Sequence, residues 1–393
     1  MFSLPRHVYF LFLSCALVGS IMPMNVLVGG IVGQTLAPAS WLATLPITSI
    51  VVGTTLATFP VAAIMKRFGR REGFCIGIAV ALVAQFAAIA ALRSGSFWLF
   101  CFCTMLMGFA IAAMQQMRFA AAEYVGHEQA PVAIAVVMLH GVVAAIIGPE
   151  LGALAANGGA GEAAGPGRFV PAYLGLSIAL AIALVWTFLM LPRGALRTAD
   201  ETKVGDAESA SQPVFWVAAI TSVTAFAVMS YIMTATPVSM HHEFHFDLAD
   251  AKTVVQWHIV AMFLPSLVTG RLVQRFSVFK CILFGWLFFV LSCLVAFSGY
   301  SHMHFLVSLV LLGVGWNILF TTGTNMLAQD NASHSQQARH DFLLFAAQAT
   351  ATAIAGGTLL RFGWEGVIVV SLIALLPCLV AAGWFWRRSR AYS

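Results

Sequence analysis

Ala62-Ala-Ile-Met-Lys-Arg-Phe-Gly-Arg-Arg71 decides the fold, because a close echo of it stands 208 residues later as Gly270-Arg-Leu-Val-Gln-Arg-Phe-Ser-Val-Phe-Lys280. Setting Arg67 against Arg275 also sets Phe68 against Phe276 and Ala62 against Gly270. Both stretches are basic turns between long apolar runs. Trp41–Met65 leads into the first and Phe74–Leu92 leaves it; Thr253–Val273 and Val278–Phe297 flank the second. About 20 apolar residues let an α-helix cross a bilayer. A repeated helix–basic turn–helix unit at this distance predicts two halves of one design.

Working outward, the same length criterion gives eight further spans. They are Val8–Gly29, Phe97–Gln116, Pro131–Ala156, Pro171–Leu191, Val214–Val238, His304–Met326, Phe342–Leu360 and Trp364–Trp386. The total is twelve. The longest polar stretch, rich in Ser, Thr, Gly and charge, separates the sixth from the seventh and reads as a flexible linker. The expectation is therefore an all-α membrane protein of two pseudo-symmetric six-helix bundles, residues 1–191 and 214–393, joined by a cytoplasmic linker at 192–213.

Composition agrees. Only 9% of residues are charged and 60% are hydrophobic, where a soluble domain carries about a quarter charged. Such a chain cannot cover itself with polar groups, so its solvent is mostly lipid. Lysines and arginines gather on the cytoplasmic side of inner membranes. With the N-terminus inside, all but Arg93, Arg168, Lys252 and Arg361 fall there, which predicts a bacterial inner-membrane protein with both termini cytoplasmic. The run after Arg6 spans and lacks a small-residue cleavage site, so the first helix is expected to stay. The net charge of +5 is dispersed at helix ends, which speaks against nucleic acid as a partner. The seven cysteines show no CxxC spacing and read as small apolar packing residues. Neither a nucleophile–base pair nor a phosphate loop appears, so an enzyme is not expected.

Lys66-Arg-Phe-Gly-Arg-Arg71 resembles the loop signature of the major facilitator superfamily, with Ala62 in place of its usual Gly and Lys66 in place of its usual Asp. That resemblance implies the twelve-helix fold and a gating role for Arg67, Gly69, Arg70 and Arg71. Gly148-Pro-Glu-Leu-Gly152 is similar to the antiporter motif of drug exporters, although span four lacks the mid-membrane Arg that accompanies it. Several further stretches resemble one bacterial subfamily. They are Met229-Ser-Tyr-Ile-Met-Thr-Ala-Thr-Pro237, Met240-His-His242, Gln256-Trp-His-Ile-Val-Ala-Met262, Thr269-Gly-Arg271, Arg118-Phe-Ala-Ala-Ala-Glu123 and Gly315-Trp-Asn-Ile-Leu-Phe320. That subfamily holds the CcoA-like copper importers, which supply cytochrome oxidase assembly, and relatives that import riboflavin. The copper signature is Met-x-x-x-Met in span seven and His-x-x-x-Met in span eight. Here it falls on Met229 and Met233, and on His258 and Met262.

Physical reasoning supplies what such residues would do. Residues four apart share a helix face. Counting from the outer ends of the spans, Met229 and Met262 lie ~13 Å deep, and Met233 and His258 one turn above them. Facing helices would make a ladder, two thioethers below and a thioether with an imidazole above. Neutral, soft ligands suit Cu(I) over harder cations. With 16 methionines in 393 residues, one Met pair at this spacing is near chance, and Met also fills apolar cores. An ionisable His within a span is the stronger sign of function.

Other candidates are weaker. Met240, His241, His242 and His245 lie in an external loop above the ladder and would gather metal from a periplasmic donor; an ordinary polar loop is the plainer reading. Met22 and Met24 flank Pro23, where a broken span would bare thioethers, against simple packing. His140 and Glu150 in span five are candidates for a proton or cavity role. Met138 and His140 are two apart, as are Cys101 and Cys103, so neither is a chelating pair. The leading expectation is a monomeric alternating-access importer of copper ion or a small copper complex, with no permanently bound cofactor, yielding its cargo to a cytoplasmic copper acceptor. The alternative is an organic-solute transporter, for a flavin or a drug, using Trp257, Tyr231, Phe226 and Trp316 as stacking surfaces. A copper-holding sensor or assembly factor ranks below both.

Overall fold

The computed structural model describes residues 4–125, 133, 136–157, 165–192, 211–329 and 334–391. Among them the regular structure is all helical. In lipid every backbone N–H and C=O needs a partner within its own segment, and a helix provides that. The first half contains α1 (Arg6–Gly19), α2 (Ile21–Leu36), α3 (Leu45–Phe68), α4 (Arg70–Ser94), α5 (Phe97–Glu123), α6 (His140–Asn157) and α7 (Val170–Met190). The second contains α8 (Gln212–His242), α9 (Leu248–Phe263), α10 (Ser266–Arg275), α11 (Val278–Phe297), α12 (His302–Gln329), α13 (His334–Ala374) and α14 (Leu376–Ala391).

Eleven runs among the described residues are long and apolar enough to cross a membrane. The last, Arg339–Arg387, has 49 residues, about 74 Å of helix against a core of ~30 Å. It is two crossings. They part at Gly363, whose φ of 66° and ψ of −170° suit essentially only glycine. The count is therefore twelve, with the last division where the sequence put it, between Leu360 and Trp364.

Among the described residues, spans one, eight and twelve are interrupted beside a proline, span twelve at Leu375 ahead of Pro377. Pro23 has no N–H for the preceding turn, and span one breaks at Ser20 into α1 and α2. Pro265 likewise splits span eight into α9 and α10. Large apolar side chains such as Phe59, Val83, Ile178, Val268 and Val380 are more than half exposed, as a lipid-facing surface requires. The linker expected at 192–213 falls mainly on 193–210, outside the described residues, as do Arg193, Arg197, Lys203 and the start of span five.

By packing, the chain forms two compact units. One is Met1–Arg197 with Met240–Gln256, the other Thr198–Ser239 with Trp257–Ser393. The hairpin leading from α8 into α9 thus packs with the first unit. Inside that unit the Tyr173 hydroxyl donates to Asn25 Oδ1 at 2.8 Å, and Ser14 and Thr187 pair at 2.9 Å. Its buried polar groups include these satisfied pairs, as an apolar interior demands.

Candidate functional site

The four ladder residues all lie in the second unit. Met229 and Met233 are one turn apart on α8, and His258 and Met262 one turn apart on α9. All four are buried. α8 is unbroken despite Pro237, so its two methionines keep the shared face that four-residue spacing gives.

His258 is fully buried. Its Nδ1 lies 2.7 Å from the Leu309 carbonyl oxygen on α12. A carbonyl only accepts, so this bond assigns the ring proton to Nδ1 and leaves a lone pair on Nε2. That is the tautomer a metal-binding imidazole presents. Nε2 is itself buried without a hydrogen-bond partner. An unpaired buried polar atom costs about 1–3 kcal/mol, so the interior carries a lone pair that none of the described residues uses.

Met262 sits where span eight breaks. Because α9 stops at Phe263, its carbonyl is bonded instead by Asn317 Nδ2 of α12 at 2.7 Å. Between these two contacts lies Gly313. A Cβ there would stand 2.6 Å from the His258 carbonyl oxygen and 3.0 Å from the Met262 nitrogen. Only a residue without a side chain lets the two helices approach this closely.

Beside this level is a group of rings. Trp316 of α12 lies 5.1 Å from Phe226 of α8, 5.9 Å from Phe263 of α9 and 5.1 Å, stacked, from Phe320. Phe345 of α13 adds a contact to Phe226 at 6.3 Å. Phe226 is one turn from Met229, and Phe263 follows Met262. Trp316 Nε1 is buried without a partner. Of the stacking surfaces expected from sequence, Phe226 and Trp316 meet here. Tyr231 is buried on α8, whereas Trp257 is 55% exposed and has no ring contact in this group. Phe263, Phe345 and Leu309 escaped the sequence reading, and Asn317 and Phe320 entered it only as part of the Gly315–Phe320 stretch. The spacing of Leu309, Gly313 and Asn317, every fourth residue on one helix face, was the signal available for part of them.

The remaining candidates lie in the first unit. Met240 is fully buried, while His242 and His245 are exposed. The loop closes on itself: Phe246 N–H donates to the Met240 carbonyl at 2.8 Å, and His241 Nδ1 lies 3.2 Å from the Phe246 carbonyl. The His241 and His242 rings are 5.0 Å apart, but among the described residues no three His, Cys, Asp or Glu side chains gather as a metal site. Gly69 turns the chain between α3 and α4 with φ 102°. Arg67 lies over the Phe68 ring at 5.2 Å. Arg70 reaches the Gln116 carbonyl at 3.4 Å, and Arg71 reaches the Phe188 carbonyl at 3.4 Å and stacks over its ring at 4.8 Å. The basic turn thus fastens α4 to the neighbouring ends of α5 and α7. His140 is buried against Gly19, its Nδ1 2.8 Å from the Val137 carbonyl. Glu150 is half exposed, and its Oε1 accepts from Lys252 Nζ at 2.9 Å and Gln256 Nε2 at 3.2 Å. Met24 is fully buried beside the break in span one. Six of the seven cysteines are buried, Cys101 and Cys103 among them.

Twelve apolar crossings with polar and soft side chains buried inside define a polytopic membrane transporter. The model of the Major Facilitator Superfamily matches residues 9–340 and again 218–393, and the chain belongs to that superfamily. It is a transporter of a small solute, not an enzyme. It is 33% identical over 382 residues to the riboflavin transporter RfnT of Brucella anthropi, with 94% of each chain covered. It is also 28% identical to the transporter YdeG of Bacillus subtilis, covering 95% of this chain and 89% of that one. Among solved structures it is similar to a bacterial homologue of the iron transporter ferroportin in its inward-facing state, with a TM-score of 0.68, 15% identity and 97% and 98% coverage. A bacterial metal transporter gives a TM-score of 0.64 at 15% identity, covering 97% and 98%. At that identity the likeness concerns the fold alone.

Proposed function

We propose that this transporter imports copper, as Cu(I) or a small copper complex, by alternating access across a bacterial inner membrane. The observation that carries the reading is His258, whose Nδ1 is held by the Leu309 carbonyl while its buried Nε2 has no partner. A soft cation would use that lone pair, and thioether sulfur is available one turn away at Met262 and on α8 at Met229 and Met233. Neutral ligands favour Cu(I) without holding it as tightly as thiolates would, and a carrier must release its load. The excess of Lys and Arg in the loops assigned to the inside supports cytoplasmic termini. The protein acts as a monomer without a resident cofactor, between a periplasmic donor and a cytoplasmic acceptor that serves oxidase assembly.

A second reading, import of a flavin, is favoured by a different observation. Trp316, Phe226, Phe263 and Phe320 form an aromatic group with an unpaired indole N–H, suited to a planar ring bearing acceptors. The riboflavin transporter among the relatives supports the same cargo. The test is uptake of radioactive copper and of labelled riboflavin in cells lacking their own carriers for both. Wild type, His258→Ala, Met229→Leu/Met262→Leu and Trp316→Leu are compared at equal membrane levels. The copper reading expects uptake that His258→Ala and the double Met variant abolish. Riboflavin uptake lost only in Trp316→Leu, with no copper accumulation by wild type, replaces it with the flavin reading.

A further inference from the structure

One side chain bridges the break in span eight. Pro265 separates α9 from α10, so the last carbonyls of α9 lose the amide donors of the next turn. Asn317, 2% exposed on α12, is bonded on both sides of that gap. Its Nδ2 donates to the Met262 carbonyl and to Ser266 Oγ, each at 2.7 Å, and its Oδ1 lies 2.6 Å from Thr269 Oγ1. Two turns earlier on the same face of α12, the Leu309 carbonyl holds His258. Gly313, midway, lets the helix backbones touch. One face of α12 therefore carries contacts to both candidate ligands of α9, by ring tautomer at one end and by backbone position at the other.

We infer that Asn317 is a positioning residue of the transport site, setting the height and rotation of the Met262 thioether below the free nitrogen of His258. The inference rests on the copper reading above. A broken helix is the usual place for a transporter's site because it frees backbone and permits movement. The same freedom would let Met262 wander, and ligand geometry loosened by about 1 Å weakens a site. Asn317 removes it without touching the cargo. Groups that orient metal ligands from behind typically contribute 10–100-fold to affinity.

The experiment is copper uptake kinetics for Asn317→Leu, Met262→Leu and their combination, at equal membrane levels and with thermal midpoints measured in detergent. Asn317→Leu is expected to raise the KM for copper about tenfold or more while leaving the maximal rate per transporter nearly unchanged. Added to Met262→Leu it is expected to do no further harm, since the sulfur it positions is already gone; a merely structural role would give additive losses. Thr269→Val, which removes the hydroxyl shared between Asn317 Oδ1 and the Pro265 carbonyl, decides the matter if Asn317→Leu does not fold: a smaller rise in KM that Met262→Leu makes disappear supports the inference, an unchanged KM overturns it. An unchanged KM in folded Asn317→Leu, or additive losses in the combination, overturns the positioning role while the copper reading stands. No copper uptake by wild type overturns both together.

Discussion

At the scale of single residues, His258 determines how transport should respond to pH. Its Nδ1 already carries a proton to the Leu309 carbonyl, so a second proton must go to Nε2 and occupy the lone pair proposed for the cargo. Protonation and metal binding compete there. Copper uptake should therefore fall when the external medium is acidified enough to protonate Nε2, and any residual uptake by His258→Gln should lose that dependence. Uptake measured at clamped pH decides it; a wild-type profile as flat as the variant's would remove His258 from the pathway. The methionines allow a cleaner substitution. Met→Leu at position 229 or 262 keeps apolar volume and usually costs below about 1.5 kcal/mol of stability. A loss of copper uptake in either variant with an unchanged thermal midpoint isolates the sulfur. Trp316→Phe makes the complementary distinction, keeping an aromatic ring while deleting the unpaired N–H. It is expected to leave copper uptake intact, and a specific fall in riboflavin uptake would instead favour the flavin reading.

Elements show which parts of this architecture could be read from the sequence. The spans were legible because a bilayer imposes one length and one composition on anything that crosses it, and even the split between the last two is written locally, in Gly363. Its conformation costs a residue with a Cβ about 1–3 kcal/mol. Gly363→Ala should lower the thermal midpoint, because it disturbs the turn that presents Trp364 to the Ala296 carbonyl at 3.2 Å. Copper KM should stay at the wild-type value. A changed KM with an unchanged midpoint would contradict this assignment. The candidate ligands were legible as well, through four-residue spacing and a resemblance. What holds them was not. Leu309 meets His258 through a backbone carbonyl, which no side-chain pattern encodes, and Asn317 meets Met262 across 55 residues of sequence. In the loop from Met240 to Asp247, too, what each side chain touches is not written in the spacing. Met240-His-His-Glu-Phe-His reads as a row of ligands, yet Met240 turns into the interior and His241 approaches the loop's own backbone.

For the whole molecule, alternating access requires contacts that form and break as the cycle proceeds, and Glu150 makes one with the right chemistry. Its single oxygen Oε1 accepts from both Lys252 and Gln256, which are four apart and so share a face of α9. The same helix, further along, carries His258 and Met262. Because Glu150 is half exposed, water screens the pair, and such contacts are typically worth about 0.2–1 kcal/mol. That is enough to bias two conformations and too little to lock one of them. Glu150→Gln keeps an acceptor oxygen but loses the charge, so it should change the maximal uptake rate by no more than about fivefold, the equivalent of 1 kcal/mol, with little effect on copper KM. Glu150→Lys should do worse, since it sets two cations against each other. Restoring the opposite pair with Lys252→Glu should recover most of the lost rate. Rate, KM and membrane level measured for the single and paired reversals settle the point. If the paired reversal is as slow as Glu150→Lys alone, the ion pair does not govern the cycle, and Glu150 acts through Gln256 or through a proton instead.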